Sequence, residues 1–140
     1  MTPENDKKLT ERFPFFQGAD SREPFPMFGF ECGDGWFDIL WRLCEDLETL
    51  GWKGYVTQVK EKFGELRFYI SGGSEAVFER IDSATTTSLH ICEVCGQAGT
   101  LDSSQYWLMT LCPVHTVDRA ERPTSLWGIT PPTTKEGDEP

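Results

Sequence analysis

Two short runs carry the residues able to do chemistry: HICEVCGQAG at 90–99 and LCPVH at 111–115. Cys92 and Cys95 stand three positions apart, and so do Cys112 and His115, giving the pattern C-x2-C-x16-C-x2-H. Zinc takes four tetrahedral ligands, with thiolate and imidazole among its usual donors. A C-x-x-C pair in a tight turn aims both sulfurs at one ion. Gly96 follows the second Cys, where only a small residue lets the chain turn sharply. Pro113 lies inside the second pair, and TVDRAER beyond it has helical character. The sixteen residues between the pairs suffice for a short hairpin in which Trp107, Met109 and Leu111 alternate toward a core.

Three readings compete: a metal site, a redox pair, and buried thiols beside a surface His. A redox C-x-x-C needs a helix N-terminus to lower a thiol pKa. Cys95 leads into glycine instead, and no βαβ pattern surrounds it. Two matched pairs favour metal. Cys92, Cys95, Cys112 and His115 are therefore the expected ligands of one structural Zn²⁺ per chain. Four protein ligands leave no open position for catalysis. Glu93, between ligands, reads as a solvated side chain rather than a general base. His90 offers an alternative H-x-C-x-x-C chelate but reads as a surface or helix-end residue. Cys44 reads as a small hydrophobe, and Cys32, beside Gly33, has no assigned role.

The surrounding chain must position this module. Residues 1–30 are rich in Pro, Phe and charge, and read as an irregular segment whose Phe residues pin it to the domain. Residues 31–90 read as an αββα body. Its first helix follows Asp34, the expected N-cap, and stops at Gly51. Trp36, Leu40, Leu43, Leu47 and Leu50 recur at helical spacing, widened by Phe37, Ile39, Trp41 and Cys44. The hairpin turns at Lys62-Phe63-Gly64-Glu65, with Leu66, Phe68 and Ile70 facing inward. Ser74 caps a second helix with Val77, Ile81 and Ala84 on one face and Phe78 beside them. Its Thr85-Thr86-Thr87 run is poor helix material, so the helix either weakens there or relies on tertiary support. Residues 91–122 form the finger, and 123–140 a Pro/Thr-rich acidic tail in which Trp127 is expected to fold back. The fold class is α+β: one small domain (helix, β-hairpin, helix) joined to a treble-clef-like Cys3His finger.

Charge narrows the function. The chain of 140 residues has a net charge of −10, which repels phosphate backbones and anionic lipid. Between Gly73 and Asp118 one base, Arg80, faces Glu75, Glu79, Asp82, Glu93, Asp102 and Asp118. A finger that reads nucleic acid needs the opposite balance. Lys53, Lys60, Lys62 and Arg67 on the hairpin are interleaved with Glu61 and Glu65, and read as a solvated face. GDGW at 33–36 lacks the Lys-Ser/Thr of a phosphate loop. With only His90 and His115 present, no Ser–His–Asp set can be assembled. No window approaches the ~18 apolar residues of a membrane span, and the N-terminus lacks a secretory core. A cytoplasmic location is expected.

The segments FECGDGWFDILWRLC, VKEKFGELRFYI and ICEVCGQAG…TLCPVH resemble a widespread group of small bacterial and phage or prophage proteins without assigned activity. The resemblance spans residues ~28 to ~116. It implies the order helix, hairpin, helix, zinc module, and a mobile-element setting in a host bacterial cytoplasm. The reading that follows is a non-enzymatic interaction protein that binds a protein with a basic surface. One alternative is an acidic mimic of nucleic acid that inhibits a host nuclease or defence complex. Another is a zinc hydrolase or deaminase, which needs one of the four ligands to be free of metal.

Overall fold

The computed structural model describes residues 1–17 and 29–121. In chain order they form α1 (Pro3–Arg12), a 3-10 turn (Pro14–Gln17), β1 (Phe30–Glu31), a second 3-10 turn (Asp34–Trp36), α2 (Phe37–Thr49), β2 (Val56–Lys62), β3 (Glu65–Ile70), α3 (Glu75–Ser88), β4 (Thr100–Asp102), β5 (Met109–Leu111) and α4 (Pro113–Glu121). The fold is α+β, as expected. The acidic tail and Trp127 lie outside the described residues.

The hairpin forms where the sequence placed it. Val56, Val59, Leu66 and Phe68 are buried while Lys62 and Tyr69 face water. Lys62 pairs with Glu65 across a two-residue turn. Phe63 and Gly64 there have φ of 57° and 83°, the left-handed pair that matches the twist of a tight hairpin. β1 adds in parallel on the far side of β2, with Phe30 opposite Val59.

The apolar side of α2 joins one core with the buried side chains of this sheet, Leu40, Leu43, Cys44 and Leu47 being fully buried. Leu50 is exposed, because the chain leaves the helix there and turns at Gly51, φ 79°. α3 starts at Ser74, whose hydroxyl accepts from the Val77 amide at 3.3 Å. It runs through the threonines to Ser88 because side chains of its last turn serve β3. The Leu66 amide donates to Ser88 Oγ at 2.9 Å, and Thr85 Oγ1 donates to the Leu66 carbonyl at 3.1 Å. Tertiary bonding overrides weak propensity here, and the outer edge of β3 is blocked to further strands. Phe78 is exposed rather than part of the buried face.

The irregular reading of residues 1–30 is corrected over 3–12. α1 has a Thr2 cap accepting from Asn5, Pro3 in its first turn, acids at Glu4 and Asp6, and Arg12 in its last turn. Leu9 is its one buried residue, so no apolar period announces the helix. The Phe residues do pin this segment down: Phe13, Phe15 and Phe16 are buried. Phe13 meets Trp41 edge-on at 5.1 Å, and Phe15 meets Trp52 at 5.0 Å. Asp34 is also corrected. It does not cap its own helix. Its Oδ1 accepts from the Thr2 amide at 2.8 Å and from Asn5 Nδ2 at 3.0 Å, so it anchors the start of α1.

Ser88 is fully buried. Ser88→Ala strands the Leu66 amide away from water, and should lower unfolding free energy by about 1–3 kcal/mol. Thermal or denaturant unfolding of the variant beside the parent checks this.

Candidate metal centre

The two Cys-containing runs converge. Between Ile91, which bridges Ala98, and the start of β4, the chain forms a knuckle. The Gly96 amide donates to the Cys92 carbonyl at 2.9 Å, and the Cys92 amide to the Gln97 carbonyl at 2.7 Å. Gly96 has φ 83°, a conformation that strains any side chain with a Cβ. β4 and β5 then pair antiparallel, Thr100 opposite Leu111 and Asp102 opposite Met109. β5 delivers Cys112 to the start of α4, where Pro113 needs no amide partner. His115 lies in the first turn of that helix.

The four donor atoms of Cys92, Cys95, Cys112 and His115 lie within 4.8 Å of one another. Cys95 Sγ and Cys112 Sγ are 3.7 Å apart. His115 Nδ1 is 3.4 Å from Cys92 Sγ and 3.2 Å from Cys112 Sγ. A tetrahedral ion with metal–sulfur bonds of about 2.3 Å and metal–nitrogen bonds of about 2.0 Å places sulfurs about 3.8 Å apart, and sulfur and nitrogen about 3.5 Å apart. The spacing suits four ligands on one small ion, with His115 coordinating through Nδ1. Among the described residues this is the one group of such donors that comes together.

Surroundings differ among the sulfurs. Burial pushes the Cys92 thiol up to about 11. Burial opposes ionisation of Cys112 as well, but the His115 amide and neighbouring donors outweigh it and hold that thiol below its ordinary value. A bound cation deprotonates coordinating thiols outright. Cys32 and Cys44 stay outside the cluster, buried, with their thiols driven far above the usual range by burial. His90 is exposed and stays outside as well; its backbone carbonyl accepts from the Gly99 amide at 2.9 Å.

Two seams bind this module to the body. The first is made by Glu93, and the expectation of a solvated side chain is wrong. Glu93 is 0% exposed. Its carbonyl accepts from the Gly35 amide at 2.7 Å, and its Oε2 from the Gly33 amide at 2.9 Å. Its own amide donates to the Thr110 carbonyl at 3.0 Å. Among the described residues Oε1 has no hydrogen-bond partner. Burial, reinforced by the charge of Glu61, pushes the Glu93 carboxyl up to about 8. Trp36 completes the seam by donating from Nε1 to the Ile91 carbonyl at 2.9 Å. This explains GDGW. A Cβ at Gly33 or Gly35 would collide with the backbone of Cys92 and Glu93; at Gly35 it would stand 2.6 Å from the Glu93 carbonyl carbon. Both glycines exist for close approach of two backbones.

The second seam joins β5 and its flanking loop to the hairpin turn. Thr110 Oγ1 donates to the Gly64 carbonyl at 2.6 Å, and Trp107 Nε1 to Glu61 Oε1 at 3.1 Å. Glu61 Oε2 accepts from the Gly64 amide at 2.8 Å. Burial raises the Glu61 carboxyl, and those two donors partly offset the shift. Within the module, the buried Arg119 donates to Asp102 Oδ2 at 2.8 Å and also bonds the Trp107 carbonyl, which ties α4 to the β4–β5 loop. The sequence reading assigned no role to Arg119.

No protein family, no curated protein and no solved structure matches the chain. Fold and site therefore define it by class alone: a small α+β protein with a Cys3His cluster able to hold a metal. No helix among the described residues is long and apolar enough to cross a membrane.

Two substitutions test the seams. Gly35→Ala forces the knuckle away from α2, so the variant should lose metal along with its folded near-UV signal. Arg119→Ala leaves a buried carboxylate unpaired and should cost about 3–5 kcal/mol, measured by denaturant unfolding.

Proposed function

We propose that this is a non-enzymatic interaction protein whose Cys3His cluster binds one structural Zn²⁺ in a treble-clef-type finger. The observation that carries the reading is the donor geometry. Four protein donors within 4.8 Å of one another can fill the shell of a zinc ion, and a filled shell has no site for substrate or activated water. The order knuckle, hairpin, helix, with the second ligand pair at the first turn of the helix, supports the treble-clef reading.

The partner reading rests on charge. α2 exposes Asp38, Glu45, Asp46 and Glu48, and the neighbouring α3 exposes Glu75, Glu79 and Asp82. Glu48 pairs with Arg12 and Asp46 with Arg80, which leaves five of the seven carboxylates outside any ion pair among the described residues of a chain with net charge −10. That surplus suits a protein partner with a basic surface. The resemblance to phage and prophage proteins makes host machinery the natural source of that partner, met in the bacterial cytoplasm. The same carboxylates favour a second reading, imitation of a nucleic-acid backbone in the groove of a host nuclease or defence complex. A hydrolase or deaminase requires one ligand to leave the metal, and a cobalt-substituted sample with four protein donors in its spectrum would remove it.

Protein purified without added metal should contain one zinc per chain, and Cys112→Ser should lose most of it together with folded structure. A folded, metal-free parent overturns the structural-zinc reading. Partner capture from host lysate should weaken with salt and with Glu45→Lys/Glu79→Lys. A lysate that yields no partner at any ionic strength overturns the interaction reading. DNA that competes with the captured partner selects the mimic.

A further inference from the structure

Phe63 takes the first left-handed position of the hairpin turn, φ 57°, where Asn, Asp or Gly is favoured and a bulky side chain is strained. Its ring is 63% exposed, so burial does not offset that strain. An aromatic that is strained and exposed at once points to contact with something outside the fold.

Phe63 stands at the mouth of a groove of about 580 Å³ between the hairpin and the loop from β4 to β5. Ligand pockets run from about 300 to 1,000 Å³. Phe63, Tyr106, Trp107 and Leu108 line it, together with Lys60 and Lys62. Both walls are held in place. Trp107 Nε1 donates to Glu61 Oε1 at 3.1 Å, and the Trp107 carbonyl accepts from Arg119, so this residue is fixed at ring and backbone. The turn is fixed by the Thr110 hydroxyl, which donates to the Gly64 carbonyl at 2.6 Å, and by the Gly64 amide, which donates to Glu61 Oε2 at 2.8 Å. A groove fixed beforehand loses little conformational freedom when it is filled.

Charge in the groove is one-sided. Glu61, the one acid among the described residues that line it, is 7% exposed and committed to Gly64 and Trp107. Neither Lys60 nor Lys62 has an ion-pair partner among the described residues. The Lys62 ammonium lies 5.4 Å from the centroid of the Phe63 ring, which sets positive charge directly beside the apolar wall. Rings next to two ammonium groups favour an occupant with a large apolar side chain flanked by carboxylates. Lys62, Phe63 and Tyr106 at the mouth are exposed, so the groove admits a segment of a longer chain. The net charge of −10 opposes such a segment at a distance. Cellular salt screens that repulsion beyond about 8 Å, and contact in the groove is then decided by the two local ammonium groups.

We infer that this groove is a docking site for an acidic segment of another protein. One large apolar side chain of that segment enters between Phe63, Tyr106 and Trp107, and neighbouring carboxylates meet Lys60 and Lys62. The surface is distinct from the carboxylates of α2 and α3 and takes a partner of opposite charge. It goes beyond the interaction reading above and stands even if those helices bind nothing.

The probe is a library of random short peptides displayed on phage and panned against the full chain. Enriched sequences should carry an aromatic or other large apolar residue flanked by Asp or Glu. A fluorescein-labelled peptide of that consensus should bind the parent saturably in anisotropy titrations. Lys60→Glu/Lys62→Glu should weaken it at least tenfold, whereas Glu45→Lys/Glu79→Lys should not weaken it, which separates the groove from the helices. Phe63→Asn separates contact from structure. Asn suits the left-handed position, so this variant should unfold at a higher temperature than the parent and yet bind the peptide at least tenfold more weakly. A Phe63→Asn variant less stable than the parent gives Phe63 a structural role and overturns the inference. So does panning that enriches nothing, a consensus without carboxylates, or an affinity that either groove variant leaves unchanged.

Discussion

The close approach of two backbones, Gly33-Asp34-Gly35 against Cys92-Glu93, is the constraint on which the rest of the structure depends. One strand of chain carries a metal-ligand knuckle, and the other opens the main helix of the body. Neither glycine can gain a Cβ without displacing the opposing backbone. The approach brings the two parts near enough for Glu93 to satisfy both glycine amides, and for the Trp36 indole to reach the Ile91 carbonyl. α1 depends on the same short stretch, because Asp34 anchors its first turn. A four-residue run therefore organises the N-terminal helix, the start of α2 and the seat of the metal module.

Three carboxylates are buried around these seams, and each is accommodated differently. Asp102 has a counter-ion in Arg119. Glu61 lacks one and relies on two N–H donors, from Gly64 and Trp107. Glu93 receives one amide on one oxygen and, among the described residues, none on the other, and burial pushes its pKa up to about 8, whereas Asp102 is held below its ordinary value. An apolar residue at any of these places would fill space but strand an amide, an indole or a guanidinium out of water. The bonds are directional, so they fix how the module sits on the body, which apolar contact alone would leave free to slide.

What could be read from the sequence follows what is local. The ligand set is a spacing, the hairpin a two-residue turn between alternating strands, and α2 and α3 are periodic runs between caps; all are properties of neighbours in the chain. α1 was missed because a helix held by caps, with Leu9 as its one buried residue, shows no period. Glu93 was misread because a charged residue in a polar knuckle is usually solvated. Only the fold brings it against Gly33 and Gly35, sixty residues away. A signal did exist: two glycines flanking an Asp just before a Trp ask for a close neighbour, and the sequence alone does not name it. Arg119 was equally hidden, since its partner Asp102 lies at the end of β4 rather than along α4.

These couplings bear on what a metal does for the whole chain. The module's own buried cluster consists of Cys92, Met109, Leu111 and Cys112, and two of those are candidate metal ligands. So small a core does not hold a fold without a further tie. A cation on the four donors would supply that tie and make the free energy of binding part of the free energy of folding. The effect does not stop at the module. The same knuckle holds Glu93 on the Gly33 and Gly35 amides and Ile91 on the Trp36 indole, so a cation bound there would steady these contacts too. Trp36 belongs to the core of the body, where it is 0% exposed. Loss of a bound cation would thereby reach the start of α2 through one indole and two amides.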